Sequence, residues 1–244
     1  MNDLSIAKKI VESLSPCQNI LEIGPGTGVL TQFLIKKKNN LKLVEIDNES
    51  VSYLISELKI NKNIIYNQDF LNLNLSKLFE NNNFSIIGNF PYNISSQIVF
   101  KIIENRKLIA EMCGMFQYEV AERICENEGS KKYGIISVIT QAFFETKLLF
   151  EVSNNFFSPP PKVNSAVILL KRKKNLKVDF DEKLFFKIVK LSFQQRRKTL
   201  RNSLKQINLT ENLREHTIFD KRPEQLSVNQ FIDLTNLIKQ DLKH

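Results

Sequence analysis

Residues 19 to 28 read Asn-Ile-Leu-Glu-Ile-Gly-Pro-Gly-Thr-Gly, and this stretch decides the fold. Asn19 to Ile23 is a short apolar run of strand length, and Gly24-Pro25-Gly26-Thr27-Gly28 follows it at once. A glycine-rich turn after a first strand lets backbone N–H groups and a helix N-terminus approach a polar ligand that a Cβ would hold off. The spacing is G-x-G-x-G, not the G-x-G-x-x-G that suits a pyrophosphate. Taken alone, such a turn is as readily an ordinary strand-to-helix connection.

Working outward, apolar positions at helical spacing mark a helix from Leu4 to Leu14, stopped by Pro16. Beyond the turn, Val29 to Lys38 reads as a helix, Leu41 to Ile46 as a strand, Asn48 to Leu58 as a helix, and Asn63 to Asn67 as a strand. Phe84 to Gly88 is a further strand, with a helix from about Ile94. Leu108 to Phe116 follows as a strand and Tyr118 to Cys125 as a helix. This alternation builds a parallel sheet with helices on both faces. Phe143 to Val152 and Ser165 to Lys171, joined by the Pro-rich loop Ser158 to Lys162, read as a closing antiparallel pair.

Polar residues stand at the strand ends, where ligands bind in such sheets. Glu45 closes the second strand and suits two ribose hydroxyls, although alone it reads as a solvated charge. Asp69 closes the third and suits an adenine amine, with Phe70 beside it to stack on the ring; alone, Asp69 reads as a turn cap. Gly24, Gly26, Glu45, Asp69 and Phe70 together describe an adenosine-bearing ligand with no required phosphate.

Asn89-Phe90-Pro91-Tyr92 follows the fourth strand and looks like the N-[LIF]-P-Y motif of amino-methyltransferases. An exocyclic adenine amine is a poor nucleophile because its lone pair is delocalised into the ring. The Asn89 side-chain oxygen and the Pro91 carbonyl would accept its N–H groups, and Tyr92 would stack on the extruded base. This arrangement needs no titratable base. The two His residues, His216 and His244, lie outside the sheet region, and no hydrolase triad or metal cluster is visible.

The bulk properties agree. The chain of 244 residues is 42% hydrophobic, with 18 Phe, enough for a core rather than disorder. A net charge of +9 attracts polyanions, though an anionic membrane or simple solubility would account for it equally. Cys17, Cys113 and Cys125 lack chelate spacing and suggest a reducing compartment. With no leader and no apolar run of membrane length, a cytoplasmic location is expected.

The segments Ile20 to Thr31, Val44 to Asp47, Gln68 to Leu71 and Gly88 to Ser96 together resemble the ribosomal RNA adenine dimethyltransferases. Gln117 to Arg123, Phe157 to Ser165 and Gln195 to Asn202 extend the resemblance from about Leu4 to the C-terminus. It implies a Rossmann-like class I S-adenosylmethionine-dependent methyltransferase sheet with a small all-α C-terminal domain. It also implies two methyl groups on each of two adjacent adenines near the 3′ end of small-subunit rRNA, within an immature particle. Gly24, Glu45, Asp69 and Asn89 are then cofactor contacts, and Asn89, Pro91 and Tyr92 hold the target amine. Phe157 packs on the base, or is a core residue beside a Pro loop. The family pattern opens with a short basic segment ending in Gln-Asn/His-Phe-Leu; the sequence starts just after that place.

A change of texture near Lys171 to Lys174 sets the expected division: 1–175 for the methyltransferase domain and 176–244 for a helical RNA-recognition domain. The latter has helices at Leu184 to Phe193, Thr199 to Ile207 and Asn229 to Leu242. Arg197, Arg201 and Lys205 recur at i, i+4, i+8, flanked by Arg196 and Lys198, and are expected to form one helix face against RNA. A run of charge is otherwise a solvated surface. A monomer binding no membrane and no metal is expected. The rival readings are an Erm-type large-subunit rRNA methyltransferase, a non-catalytic assembly factor and, more distantly, a DNA adenine methyltransferase.

Overall fold

A computed structural model describes residues 3–174 and 180–243, and the chain divides into two compact units. The first comprises Met1–Glu122 and Phe144–Arg172. Its helix α1 (Leu4–Ser13) starts where the Asp3 carboxylate accepts the Ser5 N–H at 2.7 Å, and it buries Ala7, Ile10 and Val11 on one face. Seven strands follow: β1 (Asn19–Ile23), β2 (Asn40–Glu45), β3 (Ile65–Asn67), β4 (Phe84–Asn89), β5 (Ile109–Gln117), β6 (Phe144–Val152) and β7 (Ser165–Arg172). They form one sheet in the order β3-β2-β1-β4-β5-β7-β6, parallel from β3 to β5, with β7 antiparallel to both of its neighbours. All five residues of β1 are buried, including the polar Asn19 and Glu22, as befits a central parallel strand.

Helices α2 (Thr31–Leu34), α3 (Asn48–Ser56), α4 (Ser95–Glu104) and α5 (Tyr118–Cys125) connect the strands. The helix expected over Val29 to Lys38 shrinks to four residues. Turns take the rest, and the Lys37 ammonium reaches back to the Val11 carbonyl at 2.9 Å. Arg172, the last residue of β7 and within the stretch where the sequence texture changes, is a clamp. Its guanidinium donates to Asn83 Oδ1 and to the Arg106 and Lys107 carbonyls at 3.3, 2.8 and 2.5 Å.

The second unit comprises Arg123–Phe143 and Lys173–His244. It holds α6 (Ile135–Phe143), α7 (Glu182–Gln194), α8 (Leu200–Ser203), α9 (Glu211–Arg214) and α10 (Val228–Asp241). Helix α7 packs on α6 and α10. The Phe143 ring stacks 6.0 Å from Phe180 and 6.2 Å from Phe186, and Phe193 lies between Tyr133 and Phe231. The expected division near 175 falls outside the described residues. The helical unit also takes in 123–143, which the sequence division assigned to the sheet. The Lys173 N–H and ammonium bond the Phe143 and Gln141 carbonyls at 3.0 and 2.6 Å, holding that segment to the later chain. Helix α6 was not anticipated because Ile135, Ile136, Val138 and Ile139 are β-branched. Burial of Ser137 to Thr140, Ala142 and Phe143 overrides that propensity. No helix among the described residues is long and apolar enough to cross a membrane.

Candidate active site

The strand order reverses between β1 and β4, and the polar residues gather at the carboxyl ends on either side of that point. Ile23 pairs with Gly88, so Gly24, just beyond β1, and Asn89, the last residue of β4, follow at adjacent strand ends. Gly24 and Gly26 turn with φ of +63° and +53°, and nothing lies within 4 Å of where a Cβ would stand on either. The loop thus presents bare backbone to open space, which fits an adenosine-bearing ligand approaching closely. Glu45 is buried beside it. One carboxylate oxygen accepts the Gly26 N–H at 3.0 Å and the other the Asp47 N–H at 3.0 Å. Each oxygen keeps a lone pair for a ribose hydroxyl. Beneath the loop Glu22 is 1% exposed and accepts the Thr31 hydroxyl at 2.8 Å. Burial, aided by the Glu45 charge, pushes its carboxyl up to about 8, so it holds its proton at neutral pH.

Asp69 caps a 3₁₀ turn (Phe70–Asn72), accepting the Leu71 N–H at 2.8 Å and the Asn72 amide at 2.9 Å. The local capping role is therefore real, and it fixes the carboxylate at the strand end. The stacking role expected of Phe70 does not fit. Phe70 is buried, and the Lys101 ammonium sits 5.3 Å from its ring centroid. Ile46, next to Glu45, is instead 67% exposed and offers the apolar surface an adenine would cover. Neither Ile46 nor Lys101 was anticipated; an apolar residue after a strand-end acid was the available signal for the first. Lys101, from α4, donates to the Leu71 and Leu73 carbonyls at 2.6 and 2.8 Å and so pins the Asp69 turn. Desolvation lowers its pKa against the opposing pull of Asp69 and Glu104.

The Asn89–Tyr92 loop is locked by Phe90, which the motif treats as a variable position. Its ring is 1% exposed and lies on Gly88 and Gly114, two glycines paired on β4 and β5. A Cβ on Gly114 would stand 2.1 Å from the Phe90 ring. Phe116 closes the other side, 4.9 Å between centroids, and the Phe90 N–H bonds the Met115 carbonyl at 3.1 Å. The Pro91 carbonyl accepts the Ile94 N–H at 3.3 Å, leaving its other lone pair. The Tyr92 phenol lies 2.7 Å from the hydroxyl of the buried Ser165.

Asn89, Phe90, Pro91 and Tyr92 line a cleft of about 260 Å³ with Phe157, Ser158, Pro159 and Pro161. Phe157 is half-buried: it packs on the core, as one of its two sequence readings has it, and also lines the cleft. Asn154 holds the Pro-rich wall, its amide donating to the Pro161 carbonyl at 3.0 Å and its N–H to Asn164 Oδ1 at 3.2 Å.

The basic residues are not one helix face. Arg196, Arg197 and Lys198 lie in the turn and bend after α7, Arg201 on α8, and Lys205 in the turn beyond. Helix α8 spans only Leu200–Ser203, too short to carry an i, i+4, i+8 series. Arg196 donates to the Ser130 carbonyl at 2.9 Å and Arg201 pairs with Asp220 at 2.6 Å, while Arg197 and Lys198 are exposed.

A seven-stranded sheet of this order, with a glycine turn, strand-end acids and an Asn-Phe-Pro-Tyr loop converging on one edge, defines a class I S-adenosylmethionine-dependent methyltransferase. The chain belongs to the ribosomal RNA adenine dimethylase family, whose pattern matches residues 1–240. It is 57% identical over 243 residues to Ribosomal RNA small subunit methyltransferase A of Flavobacterium johnsoniae, covering 99% of this chain and 93% of that protein. It is 51% identical over 247 residues to the protein of the same name from Phocaeicola vulgatus, covering 100% and 88%. Among solved structures, a dimethyladenosine transferase from Plasmodium falciparum superposes with a TM-score of 0.83 at 25% identity, covering 99% and 98% of the two chains. The 23S rRNA methyltransferase ErmE gives 0.70 at 26% identity, covering 96% and 98%.

Proposed function

We propose that the protein methylates N6 of two adjacent adenines near the 3′ end of small-subunit rRNA to N6,N6-dimethyladenosine. In this reading it acts as a cytoplasmic monomer on an immature small-subunit particle. The observation that carries the reading is the cleft of Asn89, Pro91, Tyr92 and Phe157 beside the glycine loop. S-adenosylmethionine, when bound, supplies an electrophilic methyl group. Gly24, Gly26, Glu45 and Asp69 would hold it, with Ile46 against the adenine. Asn89 Oδ1 and the Pro91 carbonyl accept the two N–H bonds of the target amine, which orients its nitrogen without a general base. Tyr92 and Phe157 hold the extruded base by stacking and packing. The helical unit, with Arg196, Arg197, Lys198 and Arg201, serves RNA recognition. Names shared with the 57% and 51% identical relatives support the small-subunit target over the Erm type.

The test is transfer of tritiated methyl from S-adenosylmethionine to immature small subunits lacking the modification, with naked large-subunit rRNA alongside. Label on N6 of adjacent small-subunit adenines is expected. Label only on large-subunit rRNA would assign the Erm type, and cofactor binding without transfer would assign a binding role.

A further inference from the structure

The helical unit contains a cavity of about 250 Å³, lined by Arg201, Leu204, Lys205, Leu209, Arg214 and Phe219. Leu204, Leu209 and Phe219 are buried and make an apolar floor, while Lys205 and Arg214 are exposed. The walls are tied in place. Arg201 donates through Nε and Nη2 to Asp220 Oδ1 at 3.1 and 2.6 Å, and through Nη1 to the Arg214 carbonyl. Next in sequence to Leu209, the Thr210 N–H and hydroxyl are both held by the Asp241 carboxylate, the former at 2.9 Å. These ties engage two acids, Asp220 and Asp241, in fixing the walls. Glu211 and Glu215 lie on or beside α9 but do not line the cavity. The Lys205 ammonium and the Arg214 guanidinium have no anionic partner among the described residues.

A preformed apolar floor, a planar guanidinium locked at its side and two free cations at its mouth match one ligand chemistry. A nucleobase is a flat, largely apolar disc that stacks on guanidinium planes, and its phosphates seek Lys and Arg. We propose that this cavity takes one unpaired nucleotide of the RNA substrate, base against Leu204, Leu209 and Phe219, phosphates on Lys205 and Arg214. It is a second point of RNA capture, separate from the methylation cleft, and it rests on the rRNA reading above. The contact is not purely electrostatic, so it discriminates unpaired RNA from a uniform duplex.

The experiment measures affinity of the 244-residue chain for deproteinised small-subunit rRNA over a range of salt concentrations. Leu209→Trp, which fills the cavity, should weaken binding about tenfold and leave the salt slope unchanged, because no phosphate contact is lost. Lys205→Glu with Arg214→Glu should weaken binding and shallow the log–log slope by about two. Cofactor affinity should be unchanged in both. As a measurement independent of folding in the variants, rRNA carrying 4-thiouridine should cross-link to residues 204–219 of the wild-type protein. Wild-type affinity in Leu209→Trp, or cross-links confined to the Asn154 to Lys162 wall of the cleft, would overturn the pocket alone. Failure of the wild-type protein to bind the rRNA at all would overturn the pocket and the rRNA reading together.

Discussion

Asn89 to Tyr92 in the sheet unit and Arg196 to Lys198 in the helical unit are both loops with conspicuous motifs, and the fold treats them in opposite ways. The first is gripped on every side: Phe90 on paired glycines, its N–H on Met115, the Tyr92 phenol on Ser165. The second follows the end of α7 with one side-chain tie among the described residues, Arg196 to Ser130, and a local backbone bond from Lys198 to Gln195, and leaves the Arg197 and Lys198 side chains in solvent. The difference suits the interactions proposed for each. Hydrogen bonds to a reacting amine fail with small displacements, so their donors and acceptors must be preorganised by burial. Attraction to a phosphate backbone is long-ranged and tolerant, so mobile exposed cations suffice.

Four measurements would break or sharpen that comparison. The largest effect belongs to Asn89→Ala, which should lower kcat by about 10³-fold with an unchanged melting temperature, as loss of one preorganised polar contact does. Wild-type turnover would remove Asn89 from the chemistry. Next comes Gly114→Ala, which touches no substrate. The added Cβ displaces Phe90, and turnover should fall about 10²-fold through misplacement of Asn89. Phe90→Leu added to Gly114→Ala should restore part of the loss; a double variant no better than the single would sever the packing from the chemistry. On the other side, Arg197→Glu with Lys198→Glu should weaken rRNA binding about tenfold at low salt and shallow the salt slope by about two. Cofactor binding should not change. Arg201 is left out because a carboxylate there would face Asp220.

The smallest effect concerns Glu22, the buried acid under the glycine loop. Its folded pKa of about 8 stands above the ordinary 4.5, so across that window the unfolded chain ionises while the folded one keeps its proton. The unfolded state then binds fewer protons, and stability falls as pH rises from about 4.5 to 8. Glu22→Gln should flatten that limb of the melting-temperature profile. A limb of unchanged slope would show that Glu22 is ionised in the folded protein.

Much of the candidate site's layout was legible because it is built from strand ends. A glycine turn after an apolar run, an acid closing each of the next two strands and Asn-Phe-Pro-Tyr after the fourth are local patterns, and parallel topology brings them to one edge. What sequence spacing could not reach were contacts made across the sheet. Gly114 looks like any strand glycine until β5 is laid beside β4, and Lys101 looks like a surface cation until α4 folds over the Asp69 turn. Phe70 was misread for the same reason: an aromatic beside a binding acid suggests stacking, but the interior claimed it and left Ile46 outside. The supposed basic stripe failed because an i, i+4 series presumes an unbroken helix, and the chain turns at Gln195 to Lys198 and again after Ser203.

The sequence by itself determined the parallel sheet, its glycine turn and the Asn89–Tyr92 loop, since each depends on residues within a few positions of one another. Only the tertiary structure decided which side chains are rigid: the Phe90–Gly114 wedge, the Tyr92–Ser165 bond and the cavity over Phe219. Rigidity comes from burial against elements distant in sequence, and the order in which strands and helices pack is what sets those neighbours.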